Sequence, residues 1–284
     1  FDIGTFHMLP EILSTNFCSL KPNEKRLALT VKVTLDEKFN VTDYKFFESV
    51  ILSDKKFNYE EAEGVLGNKI ADSFYDQLVS LNDLTISLKK KRLSKDGFDM
   101  NFKEKTFVQN SKDAAIDIRT TNRLKSHQIV EETMLLANQL ASEYISKKYR
   151  KNHRMGIYRN HEAPSQKSME FLQNLMRFQG SNFEMKYPTK AKDINYFLSQ
   201  NSKSFNYNIL CVLIMQKMQK ANYSSKCIGH FGLGFDKYTH FTSPIRRYSD
   251  LIVHRIIKGD EVENHHIIDS LTYKRFQIPM NYPK

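Results

Sequence analysis

His230 to Arg255 reads HFGLGFDKYTHFTSPIRRYSDLIVHR. Within it, Thr242-Ser243-Pro244 offers a hydroxyl cap followed by a proline suited to the first helical position. Ile245, Tyr248, Ile252 and Ile256 then recur on one face, so the spacing predicts a helix that starts at this proline and docks on a core. Arg246 and Arg247 fall in its first turn. Two cations beside the positive end of a helix dipole cost about 0.3–1 kcal/mol each at exposed sites. A bound anion reverses that sign, because helix amides and two guanidinium groups form a phosphate site. A second reading is equally concrete. Asp250 lies four residues after Arg246 and three after Arg247, so either arginine could make a surface ion pair worth a few tenths of a kcal/mol. Upstream, His230 to Gly234 predicts a glycine-spaced backbone turn that matches neither a dinucleotide fingerprint nor a P-loop.

Outward from this stretch the chain divides by pattern. Lys25 to Leu35 alternates, with Leu27, Leu29, Val31, Val33 and Leu35 on one face, which is the period of a half-buried strand. Asp36-Glu37-Lys38 turns it into a second strand over Val41 to Leu52, giving an antiparallel pair. From Asn68 the apolar residues Ile70, Phe74, Leu78, Leu81 and Leu88 take helical spacing and end in the basic run Lys89 to Arg92, which complements a helix dipole. Phe107-Val108 and Ala114 to Ile118 read as short strands. Ser126 caps a long helix through Lys148 with a clear apolar stripe. After the loop Asn160 to Pro164, helices are expected near Lys167–Phe178, Ala191–Gln200 and Tyr207–Lys220, the last apolar nearly all round and so buried. Strands in the first half and helices in the second make an α+β pattern.

The 284 residues carry 43 Lys and Arg against 32 Asp and Glu, a net +11, and such a field draws polyanions, nucleic acid first among them. A Lys-rich proteome would produce the same excess without any such partner. Three scattered cysteines give neither a disulfide framework nor zinc spacing and suit a reducing cytoplasm. No apolar run reaches membrane-helix length, and Phe1-Asp2-Ile3-Gly4 opens no signal peptide and lacks an initiator Met, so the expectation is a fragment, a processed chain or a sequence whose first part is missing.

The stretch from His230 to Arg255 resembles the signature of the ribonuclease II and ribonuclease R family, more closely its ribonuclease R branch. MLPEILSTNFCSLKPNEKR (Met8 to Arg26), KKFNYEEA (Lys55 to Ala62), IVEETMLLAN (Ile129 to Asn138) and YRNHEAPS (Tyr158 to Ser165) fall in the family's order. The resemblance implies a partial RNB exoribonuclease-type catalytic domain over residues 1–258, an α+β domain whose first-half antiparallel strands are packed by many helices. Residues 259–284 have no clear relation to it. It implies magnesium-dependent, processive hydrolysis of single-stranded RNA from the 3′ end to nucleoside 5′-monophosphates, in the cytoplasm and with no membrane role, association with an RNA helicase or the ribosome being left open.

By the same resemblance Arg246 matches the arginine that steadies charge on the scissile phosphate, as a preorganised guanidinium would. Tyr59 matches a tyrosine near the 3′ nucleotides and Glu131 a glutamate that recognises the ribose, where accepting from a 2′-hydroxyl favours RNA over DNA. Arg247 is a further phosphate contact, and His161 is placed among the RNA-binding residues, although holding its loop suits it better. The family's stacking phenylalanine falls on Met100, flanked by Phe98 and Phe102, and a thioether packs on a base less favourably than a ring. Ser249 stands where Pro is common. The family's DxDD-type aspartates, which hold two metals, would align before Phe1. The chain therefore reads as part of a working nuclease, or alternatively as a catalytically inactive RNA-binding relative or scaffold.

Overall fold

The computed structural model describes residues 6–98, 104–109, 116–121, 123–149, 156–180 and 190–259. Strand β1 (Lys25–Leu35) pairs antiparallel with β2 (Val41–Leu52), with a register irregularity at Thr34/Leu35 beside the turn. Both bounds coincide with those that the alternation predicts. The apolar face is shorter than the pattern suggests. Leu29, Val31 and Phe46 pack onto the core, while Leu27 and its cross-strand partner Val50 stand 82% and 62% exposed at the open end of the hairpin.

Helix α1 (Tyr59–Leu66) begins with a reciprocal cap, Asn58 accepting from the Glu61 N–H while the Glu61 carboxylate accepts from the Asn58 N–H. Helix α2 (Tyr75–Ser94) starts later than the spacing from Asn68 predicts. Asn68 takes φ 55° just past α1 and turns the chain, so Ile70 and Phe74 precede α2. Strands β3 (Glu104–Gln109) and β4 (Ile116–Thr121) form a second antiparallel hairpin.

The long helix α3 (Lys125–Lys148) crosses the molecule and carries buried residues along most of its length. Ser126 is not its cap. The Ser126 side chain instead donates to the Tyr59 carbonyl (2.8 Å), and its backbone N–H donates to the Glu63 carboxylate (3.1 Å). A carboxylate from α1 thus satisfies an amide that a local cap would otherwise serve. Next to it, Glu132 of α3 holds Arg92 of α2 in a buried two-contact pair at 2.6 and 3.3 Å. The basic run at the end of α2 therefore does more than complement a dipole.

Helices α4 (Gln166–Phe178), α5 (Ala191–Gln200) and α6 (Tyr207–Lys217) share one core built on Leu172, Met176, Ile194, Phe197, Leu210 and Ile214. The expectation that α6 is buried all round is corrected. Leu210, Cys211 and Ile214 are enclosed, but Ile209, Val212 and Met215 face outward on the side away from α4 and α5. A second core joins α3, the hairpin and the last helix α7 (Tyr248–Lys258) through Ala141, Ile145, Phe241, Ile252 and Ile256. Two three-residue strands that the sequence does not signal, β5 (Tyr158–Asn160) and β6 (Asn222–Ser224), pair antiparallel beside it. Among the described residues no helix is long and apolar enough to cross a membrane.

Candidate nucleic-acid interface

The segment before α7 is held from α3. Asn138, buried to 2% exposure, accepts from the backbone N–H groups of Phe241 (2.8 Å) and Thr242 (3.2 Å) and donates to the Tyr238 hydroxyl (3.0 Å). From α7 the fully buried Asp250 accepts the Ser243 N–H at 2.7 Å. These amides are consumed outside a helix, so Pro244 to Arg246 forms a turn and α7 starts only at Tyr248, with Arg247 extended at its N-cap. The predicted helix start at Pro244 is therefore corrected by four residues. Thr242, offered there as a cap, has a buried hydroxyl with no hydrogen-bond partner among the described residues.

The two arginines behave differently. Arg247 pairs with Asp250 at 2.8 Å, but this is a pair with a buried carboxylate rather than a surface one, and its Nε is buried without a partner among the described residues. Arg246 is exposed, and its guanidinium has no hydrogen bond or ion pair among the described residues. The ion-pair reading is realised in Arg247, with a buried partner, whereas Arg246 stands at the surface of the turn.

Behind the turn lies a polar lattice. The Tyr223 hydroxyl stands 2.6 Å from His240 Nδ1 and 2.9 Å from Ser249 Oγ, which is 3.1 Å from Asp250 Oδ2. Ser249 has one proton and serves one of these neighbours at a time. A proline at this position would remove the link between Tyr223 and the buried carboxylate. Arg159 lies over the Tyr223 ring at 4.7 Å. Burial depresses His240 to about 3, helped by the positive charges of Arg247 and Arg159, by His230 and by Arg246. His230 is likewise depressed to about 3 by burial, His161 and Arg159. Both rings are neutral at pH 7, so the positive charge here is carried by guanidinium groups.

His161 has both ring nitrogens engaged by the backbone. Its Nε2 donates to the Gln219 carbonyl and its Nδ1 accepts from the Gly232 N–H, each at 2.9 Å, and burial lowers its pKa. A Cβ on Gly232 would lie 2.9 Å from that Nδ1, which explains a glycine there. Gly234, at φ 68°, is stricter still, because a Cβ would stand 2.4 Å from the Gly97 nitrogen. His161 therefore frames the loop, with no ring nitrogen free for RNA.

Tyr59, at the start of α1, and Glu131, on α3, both lie beside the first turns of α3. The Tyr59 ring packs against His127 at a 40° tilt with centroids 4.1 Å apart, and Glu131 is paired with Arg123 at the surface. His127, Glu131 and Asn138 follow at steps of four and seven residues and share one face of the helix. From Glu131 to Asn138 the axis advances about 10 Å. That face therefore carries His127 beside Tyr59, Glu131, and the Asn138 that holds the arginine turn. Met100 and Phe102 lie outside the described residues, while Phe98 packs against the α4–α6 core. A cavity of about 880 Å³ opens on another face of α3, between the β1–β2 turn, α2 and Gly234 to Lys237, and none of Tyr59, Glu131, Arg246 or Arg247 lines it. Among the described residues no group of three or more His, Cys, Asp or Glu side chains could hold a metal ion. Magnesium has no fitting site among these residues.

Known proteins agree with this arrangement. Residues 1–259 match the RNB domain family. The ribonuclease R of Buchnera aphidicola is 33% identical over 89% of this chain and 35% of its own length, so the chain spans about a third of that relative. The apo form of Mycoplasma genitalium RNase R superposes with a TM-score of 0.83 at 26% identity, covering 94% of this chain and 44% of that one. The same protein in complex with ribose-methylated single-stranded RNA gives 0.80 over 95% and 41%. Yeast Ssd1, a pseudonuclease, shares the fold at a TM-score of 0.71 and 20% identity over 94% of this chain and 33% of that one. The α+β architecture, the arginine turn clamped between α3 and α7, and a match from Phe1 to Gly259 together make this chain a member of the RNB domain family.

Proposed function

We propose that this chain is the RNA-gripping and phosphate-stabilising part of a hydrolytic 3′→5′ exoribonuclease that releases nucleoside 5′-monophosphates from single-stranded RNA, with magnesium supplied in the complete protein. One observation carries the reading: Arg246 presents an unpaired guanidinium from a turn whose backbone is fixed by two buried side chains, Asn138 and Asp250. A cation held still before the reaction stabilises charge as it develops on the scissile phosphate without reorganising. Arg247, tethered to Asp250, holds the turn's position and lends a second positive charge. Glu131 accepts from the ribose 2′-hydroxyl of a nucleotide lying along α3, and Tyr59 contacts the 3′ end. The Mycoplasma relative that binds single-stranded RNA supports the choice of substrate.

In the complete protein, Arg246→Ala is expected to lower turnover by about 10²–10³-fold while RNA affinity stays within a few-fold. Normal turnover in that variant would falsify the assignment. A fold held in common with a pseudonuclease carries a second reading. In it the same groove binds RNA without cutting, so binding weakens steeply with salt and no mononucleotide appears at any magnesium concentration.

A further inference from the structure

Arg159 has no role in the reading above, yet its placement is unusually determined. It is the middle residue of β5, its register partner in β6 is Tyr223, and its N–H donates to the Tyr238 carbonyl at 2.9 Å. Its guanidinium carbon lies over the Tyr223 ring, 4.7 Å from the centroid, and the Tyr223 hydroxyl belongs to the lattice of His240, Ser249 and Asp250 beneath the arginine turn. Yet among the described residues the guanidinium forms no hydrogen bond or ion pair. A half-buried arginine is normally matched by a carboxylate, because its donors otherwise lose water without replacement. Here Arg159, Arg246 and Arg247 all lie within electrostatic reach of His240, and the carboxylate paired among them, Asp250, is already taken by Arg247.

Two further groups point the same way. The Thr242 hydroxyl and Arg247 Nε are buried polar atoms with no partner, both on the segment that Arg246 occupies. Excess cations and orphaned donors in one place describe a site completed by an anion richer than a single carboxylate. Phosphate oxygens fit, since each accepts several charge-assisted bonds and guanidinium planes match them in pairs.

We propose that Arg159 binds a second phosphate of the RNA backbone, next to the one taken by Arg246. Stacking on Tyr223 holds the guanidinium plane before the strand arrives, so little side-chain freedom is lost on binding. The two arginines then divide the work. Arg246 acts on the phosphate where charge changes during the reaction. Arg159 holds a phosphate whose charge stays constant, so it contributes equally to ground state and transition state.

This rests on the exoribonuclease reading and is tested so that the two can fail separately. Binding of a fluorescent oligoadenylate to the full-length protein is followed by anisotropy in EDTA across a potassium chloride series, and turnover is measured with magnesium. Arg159→Gln is expected to reduce the slope of log affinity against log salt by about 0.7, one single-strand phosphate contact. It should also raise KM about tenfold with kcat within twofold. Arg159→Lys keeps the charge without the planar stack and should retain the slope. An unchanged slope in Arg159→Gln, or a loss in Arg159→Lys as large as in Arg159→Gln, overturns the proposal and leaves Arg159 a packing partner of Tyr223. Were the unaltered protein not to bind the oligonucleotide, both readings would fall together.

Discussion

Glu131 and Glu132 are neighbours in the sequence and opposites in the fold. Glu131 stands at the surface of α3 beside Arg123, on the face that leads to Asn138 and the arginine turn. Glu132, a hundred degrees round the helix, is sealed against Arg92 of α2 with side-chain exposures of 2% and 5%. Each carboxylate has an arginine, and only one of them can be offered to a ligand. A surface pair is worth little and exchanges readily with water or a ribose hydroxyl. A buried pair has already given up its water, so losing one member strands the other. The contrast extends to the arginine turn, where the buried charge runs the other way, with guanidinium groups in excess and neutral histidines beneath them.

Breaking the buried side should give the largest effect. Glu132→Ala leaves Arg92 uncompensated and is expected to destabilise the fold by about 3–5 kcal/mol in urea unfolding. Combining Arg92→Met with Glu132→Leu should recover most of that loss. If Glu132→Ala proves no worse than a surface change, the two glutamates are not opposites after all.

Acid probes the arginine side next. His230 and His240 are held near 3, whereas the unfolded rings titrate around the ordinary 6.5. The unfolded chain therefore binds more protons between those values, and stability falls as pH drops below about 6.5. Each ring contributes at most about 1.4 kcal/mol per pH unit. Melting temperatures at pH 7 and pH 5 should differ, and His240→Asn should flatten the difference. An equal difference in the variant would show that His240 is not the ring responsible.

The smallest effect on stability belongs to Glu131. Glu131→Gln should change it by less than about 1 kcal/mol yet narrow the preference for an RNA over a DNA oligonucleotide of the same sequence, measured as a ratio of affinities. A retained ratio would remove Glu131 from ribose recognition.

Much of this contrast is invisible in sequence. The β1–β2 hairpin is legible to the residue because strict alternation over eleven residues has one reading. Glu131 is reached only through the family's order of motifs, since an acid early in a helix has an ordinary explanation. The start of α7 is misread because Thr242-Ser243-Pro244 is a good local cap, and the groups that overrule it, Asn138 and Asp250, act through tertiary contacts. Arg159 falls within the motif Tyr158 to Ser165, but nothing in its local pattern sets it apart from its neighbours. Its partner strand lies about sixty residues away, and each strand is only three residues long.

That Asn138 and Glu131 ride on one helix also limits how this chain can vary. A single residue inserted between them would swing Glu131 by about 100° and lift it about 1.5 Å relative to the arginine turn. The loops elsewhere can lengthen without such consequence. Insertions within residues 131–138 should therefore be far less tolerated than insertions in the turn over 36–40, even where stability is unharmed.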